Sequence, residues 1–313
     1  MPQVAKFADK IEVLINDNAS TDSTTEILSK VASEKKWLIN LKTLRNNVGL
    51  HDNFVDVISR ASGNYIYLMG DDDLLSPNFI EILLPKIAQN EYSIIHFNRI
   101  SGNGECTNNF LHDRQFNGSL CEELSIEDFI KRVMSAPNFI SSVIFKKEIW
   151  DNGEIYDCED KYFGYEFLAR EFWGALKTNS SCLYYYMPLV IMRNPERTWA
   201  RFGFLYMMVG MYNIFNDLDK KIPGVKEIWA HRIRHTHFYD FHLLLNDLAR
   251  DRGLYRQYRD NINEICINRK EKFAVKLLLD LPWAKFVAYV YPKLLKLHRL
   301  LWHKYRFERR TDF

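Results

Sequence analysis

Apolar and polar positions alternate between two rhythms along the first hundred residues. Compact apolar runs at Ile11–Ile15 (IEVLI), Leu38–Leu44 (LINLKTL), Asn64–Met69 (NYIYLM) and Tyr92–Asn98 (YSIIHFN) predict four strands buried in a sheet. Between them the spacing turns helical. Ile27, Leu28 and Val31 share one face behind a capping Asp22 or Ser23, and Leu50, Phe54, Val57 and Ile58 share another. Ser76 and Pro77 open a third helix, running to Asn90. Strands alternating with helices predict an α/β fold with a mostly parallel, Rossmann-like sheet and flanking helices.

The rhythm breaks between Arg99 and Asn117, a polar Gly/Asn-rich stretch. Beyond it the pattern predicts a helix over Ser125–Ser135, a strand over Phe139–Lys147, a helix near Tyr165–Leu176 and a strand over Ser181–Arg193. From about Trp199 the pattern is helical to the end. These features predict a domain over residues 1–199, in two halves at 1–100 and 101–199. A helical region follows at 200–313.

Composition adds little: 47% apolar and 26% charged residues describe an ordinary globular chain. The net charge of +2 argues against general nucleic-acid binding, but it is unevenly placed. Lys270–Phe313 holds 11 Lys/Arg against 4 Asp/Glu, leaving 31 against 36 elsewhere. The tail, with Leu294, Leu297, Leu301 and Tyr305 at helical spacing among cations, suits either a membrane interface or docking on the preceding domain. The sequence reading places membrane contact at 285–310 and the chain in the cytoplasm, peripheral at the inner face of the cell membrane. Five scattered cysteines without CxxC spacing suit a reducing compartment. The longest apolar stretch, Phe202–Phe215, is shorter than the roughly 18 residues of a membrane span.

Three stretches carry candidate chemistry. In YLMGDDDLLSP, Asp71, Asp72 and Asp73 stand side by side after a strand. Adjacent carboxylates repel unless a cation neutralises them, and a divalent oxygen-loving metal does so. The alternative is a solvated acidic turn at a helix start. In INDNASTDST, Asp17 is an acceptor suited to the N–H edge of a base, or else a helix cap. In LRNNVGLHDN, Arg45 suits a phosphate and Gly49 a close backbone approach. His231 and His235 share i,i+4 spacing without the acidic companion of a zinc helix. Arg193, Arg197 and Arg201 follow the last strand and suit either a lid or a plain helix entry.

In that order, NDNASTD, RNNVGLHDNF and ASGNYIYLMGDDDLLSP resemble inverting family-2 glycosyltransferases of the GT-A fold, strongly over Ile11–Ile100. The resemblance implies sugar transfer with inversion from a nucleotide-sugar donor, UDP-linked, to a glycan or lipid-linked acceptor in surface polysaccharide or glycoconjugate synthesis. It implies nucleotide contacts from Asp17 (to the uracil), Asn18, Ser20, Arg45, Gly49, Asp71 and Asp72. It implies Mn2+ or Mg2+ held by Asp71 and Asp73, which keep the DxD spacing, with Gly70 standing where many relatives begin the acidic cluster. A carboxylate base is also implied; Glu166, in GYEFLAREFWG, is the first candidate and Asp160 the second. Family members open with a further strand and helix, which the ten residues before Ile11 are too few to supply. A sugar-phosphate nucleotidyltransferase and a non-catalytic relative in an assembly complex are the competing readings.

Overall fold

The computed structural model describes residues 2–35, 39–101, 120–134, 140–153, 161–162, 164–192, 203–231, 248, 251–265 and 269–280. Asp160, the arginines at 193–201, His235 and the tail at 285–310 therefore lie outside the described residues.

The four expected strands form as β1 (Val13–Asp17), β2 (Ile39–Thr43), β3 (Tyr65–Tyr67) and β5 (Tyr92–Ser101). The helices between them are α2 (Thr24–Glu34), α3 (Gly49–Ser59) and α4 (Phe79–Gln89). Before β1 the chain makes a four-residue helix, α1 (Pro2–Ala5), and a turn. Residues 2–10 thus form one short helix and a turn. Val4, Phe7 and Ile11 pack against the core, and Gln3 Nε2 donates to the Ser76 carbonyl at 2.7 Å.

Two strands were not legible in the apolar pattern. β4 (Asp73–Leu75) begins at the last of the three aspartates, and β6 (Cys121–Ser125) follows the polar stretch. Both are drawn out by the 12-residue β8 (Ser181–Met192), which pairs with β4 through Val190–Met192 and with β6 through Ser181–Tyr185. β5 also runs three residues past its expected end, because Arg99–Ser101 pair with Val190–Met192.

The class is α/β, as expected. β1 and β2 are parallel and form their own pair. The larger sheet runs β3-β7-β5-β8-β4, with β7 at Val143–Lys146 and β6 added on β8. β5 and β8 are parallel, and β3 points the same way because both it and β5 lie antiparallel to β7. β4, β6 and β7 run against them, giving the sheet a mixed character. The core sits where α4 covers this sheet: Phe79, Ile80 and Leu83 meet Ile95, Phe97, Ile144, Leu183 and Val190. Complete burial of each such side chain contributes roughly 1.5–3 kcal/mol.

Helix α5 (Ile126–Phe129) continues as a wide turn to Met134, and α6 (Lys147–Asn152) lies against α7 (Glu166–Thr178). Helix α8 (Gly203–Leu218) spans a division of the chain into two compact units. One unit holds residues 1–198 and 213–228; the other holds 199–212 and 229–313. The stretch 213–228 thus groups with the unit that holds the sheet. There Phe215 meets Phe172 of α7 and Asp217 accepts from the Tyr162 hydroxyl at 2.8 Å.

Candidate active site

The first element of the site is the turn after β1. Asp17 is the buried last residue of that strand, 2% exposed. Its Oδ1 accepts from the Ser20 backbone N–H at 3.0 Å, and its Oδ2 accepts from the Thr25 hydroxyl. Hydrogen bonds from Ser20 and Thr25 hold its pKa below the ordinary value, outweighing the opposing effect of burial. Ala19 is left-handed, with φ of 58°, a conformation uncommon for a residue with a Cβ. The turn is thus closed by Asp17 itself.

Asn18 ties this turn to the start of α3. Its Nδ2 donates to Asn47 Oδ1 and to the Gly49 carbonyl, each at 3.2 Å, and its Oδ1 accepts from the Val48 N–H at 3.0 Å. Gly49 has φ of 83° with nothing near a would-be Cβ, so its role is conformational. Ser20 and Arg45 are exposed. Beneath, Asp56 of α3 accepts from Asn16 Nδ2 at 2.9 Å and pairs with Lys42 of β2 and Arg60. The bond from Lys42 leads the causes that hold the Asp56 carboxyl below its usual range. This network binds β1, β2 and α3 into one block. Its start is joined to that of β3, since Glu12 Oε1 accepts from the backbone N–H groups of Ser62 (2.7 Å) and Gly63 (2.9 Å).

The second element is the acidic turn after β3. Its three carboxylates differ in setting: Asp71 is exposed, Asp72 half-buried and Asp73 buried at 6% exposure. Strand geometry explains Asp73, which is drawn in by pairing with Met192 of β8. Its Oδ2 accepts from the Ser141 hydroxyl at 2.6 Å. The Asp73 carboxylate also counters the burial that lowers the Arg99 guanidinium. The expected pair, Asp71 and Asp73, is therefore split between surface and interior. A Cβ on Gly70 would come within 3.0 Å of both Asp72 Oδ1 and Asp73 Oδ2. The glycine leaves a cradle under converging oxygens, which accounts for a residue without a side chain at this place.

The third element is the start of α7. Glu166 is its first residue, 7% exposed. Its Oε1 accepts from the Tyr162 N–H at 3.2 Å, whereas the buried Oε2 has no hydrogen-bond partner. A buried carboxylate oxygen without a donor is costly and marks a candidate site. Next to it, Phe167 meets Phe54 of α3 edge-on at 5.0 Å, bringing this helix start to the block that carries Asn18. Glu171 behaves differently. Burial without a charge partner pushes it up to about 8, so it holds its proton at neutral pH and is unsuited to act as a base there.

Sequence reasoning missed Ser141, Arg99 and Tyr67, whose hydroxyl donates to the Ser141 carbonyl at 3.0 Å. The visible signals were a serine pair inside the apolar FISSVIFKK and an arginine continuing a strand. Among the described residues no three His, Cys, Asp or Glu side chains gather as a metal cluster.

Residues 3–149 match the family described as Glycosyl transferase family 2. The chain is 26% identical over 241 residues to the abequosyltransferase RfbV of Salmonella typhimurium, covering 71% of this chain and 70% of that protein. It is 25% identical over 204 residues to the glycosyltransferase GlyG of Streptococcus pneumoniae, covering 61% and 66%. Among solved structures it resembles S. aureus TarS 1–349 with a TM-score of 0.54 at 15% identity, covering 96% of this chain and 83% of that one. The same TarS segment in complex with UDP-GlcNAc gives 0.54 at 14% identity. The fold is shared with TarS, and residues 3–149, just under half of the chain, match glycosyl transferase family 2.

Proposed function

We propose that the protein transfers one sugar, with inversion, from a UDP-linked donor to a hydroxyl of a glycan or lipid-linked acceptor in surface polysaccharide or glycoconjugate synthesis. The observation that carries this reading is the acidic turn: carboxylates converging over Gly70, on a strand tied through Glu12 to the Asp17 block. The UDP-GlcNAc complex of the structurally similar TarS segment supports the choice of nucleotide.

In this reading the Asp17 turn, with Asn18, Ser20, Arg45 and Gly49, receives the nucleoside. Asp17 spends one acceptor position of each oxygen on its own turn and keeps the others for the base, since an ionised carboxylate has about four. Asp71 and Asp72, the more accessible members, would hold Mn2+ or Mg2+ together with the donor diphosphate; Asp73 stands behind them. Hard carboxylate oxygens fit such an ion, and the space above Gly70 lets the Asp72 carboxylate stand beside that of Asp73. When bound, the ion offsets charge on the departing diphosphate. Glu166 Oε2 takes the proton of the acceptor hydroxyl. The acceptor oxygen then forms its bond to the anomeric carbon as the bond to the nucleotide phosphate breaks.

Asp72→Ala tests this reading. It should leave the melting temperature within about 2 °C, as expected for a partly exposed residue. It should also remove the manganese-dependent part of UDP binding and abolish turnover of a UDP-sugar. Unchanged manganese-coupled binding in the variant would overturn the assignment. The same titration on the unaltered chain separates this reading from a non-catalytic relative, whose UDP binding would not respond to manganese.

A further inference from the structure

We propose that Ser141 is the positioning residue of the acidic turn: it fixes where Asp71 and Asp72 point without touching cation or donor. The inference rests on the sugar-transfer reading above and names a residue outside its motifs.

The argument begins with strand register. β3 and β7 pair antiparallel with Tyr67 opposite Ile144, so extending the ladder three residues sets Gly70 opposite Ser141. At that level the strands no longer pair through their backbones. Instead the Ser141 side chain takes over. Its Oγ accepts from the Gly70 N–H at 2.8 Å and donates to Asp73 Oδ2 at 2.6 Å. One hydroxyl thereby spans the turn from its first residue to its last, with Asp71 and Asp72 held between. Its own backbone is held in turn, since the Ser141 carbonyl accepts from the Tyr67 hydroxyl.

Ser141 is fully buried, at 0% exposure. A buried hydroxyl opposes folding unless it is bonded, and this one uses both its donor and an acceptor position on the same loop. Ser142, equally buried, has no partner for its Oγ. The two neighbours therefore separate burial from bonding, and Ser142 is an internal control. The donor bond goes to a carboxylate, the stronger class of hydrogen bond. It also keeps Asp73 directed at the protein, with Asp71 exposed and Asp72 half-buried on the closed turn.

The experiment compares Ser141→Ala and Ser142→Ala by titrating UDP with manganese and with chelator. In Ser141→Ala the half-saturating manganese concentration for UDP binding should rise about tenfold, as expected for loss of a hydrogen bond to a charged group. UDP affinity in chelator should stay within about twofold. Ser142→Ala should match the unaltered protein in both. A rise confined to the manganese arm is what a positioning role requires; general loosening would weaken both arms. Manganese dependence within about twofold of the unaltered protein in Ser141→Ala would overturn the proposal. Amide hydrogen exchange supplies a second readout that needs no ligand. Amides 68–73 should exchange at least about tenfold faster in Ser141→Ala, with β5 unchanged. If the unaltered chain shows no manganese-coupled UDP binding, the sugar-transfer reading fails by itself. The exchange result then decides alone: faster exchange at 68–73 keeps Ser141 as the holder of this turn, and unchanged exchange removes it.

Discussion

At Asp17 a single carboxylate closes the turn through the Ser20 N–H and the Thr25 hydroxyl. Replacing it with Asn leaves at most one acceptor and sets an amide N–H against a donor. Asp17→Asn should therefore lower unfolding free energy by about 1–3 kcal/mol, measured by denaturant titration. The pH dependence has a definite sign. The folded carboxyl titrates below its ordinary value of 3.8, so its contribution is complete above that value and is lost as pH falls through the folded pKa. The gap between the two proteins should be constant near pH 6–7 and shrink on acidification below about pH 4. A gap that stays the same down to about pH 2 would show that the charge of Asp17 is not what stabilises the turn. This residue was legible because DNAS places an acceptor directly before small turn residues. Ser141 was not, because its partners lie about 70 residues away and only the β3–β7 register brings them together.

Helix α7 shows what a pattern of residues conveys about an element and what it leaves out. GYEFLAREFWGAL announces a helix, and one forms from Glu166 to Thr178. It does not announce how closely that helix approaches α6. A Cβ on Gly174 would lie 1.7 Å from the Ile149 carbonyl oxygen, and one on Gly153 would lie 2.1 Å from that of Arg170. Both obstacles are backbone, which side-chain rotation cannot relieve. Gly174→Ala should therefore destabilise the protein by about 3 kcal/mol or more, despite the better helix propensity of alanine, and lower its melting temperature accordingly. A melting temperature equal to the parent's would show that α6 and α7 separate without cost. The same limit explains β4 and β6. Short polar-edged segments become strands through β8, and local periodicity carries no trace of a partner so distant along the chain.

Across the whole molecule, the alternation of strand and helix conveyed the class, since each βα unit is written locally. The division into units was less legible, because α8 reads as one apolar helix while its two halves serve different units. The stretch 213–228, which includes the second half of α8, supplies Phe215, Leu218, Ile222 and Val225, all fully buried. It also supplies Asp217, which pairs with Lys161 and Lys220 and accepts from Tyr162. A chain ending at Thr198 would keep every motif of the candidate site yet uncover Phe172, the neighbour of Phe215. Each lost apolar side chain removes roughly 1.5–3 kcal/mol of burial, and 1 kcal/mol shifts melting by about 2–4 °C at this size. A chain of residues 1–198 should thus melt on the order of 10 °C or more below one of residues 1–228, and bind a hydrophobic dye before it melts. Equal melting of the two would mean that residues 213–228 merely rest on the sheet unit. The expected difference would instead make that stretch part of the scaffold that holds Glu166, through Tyr162, at the start of α7.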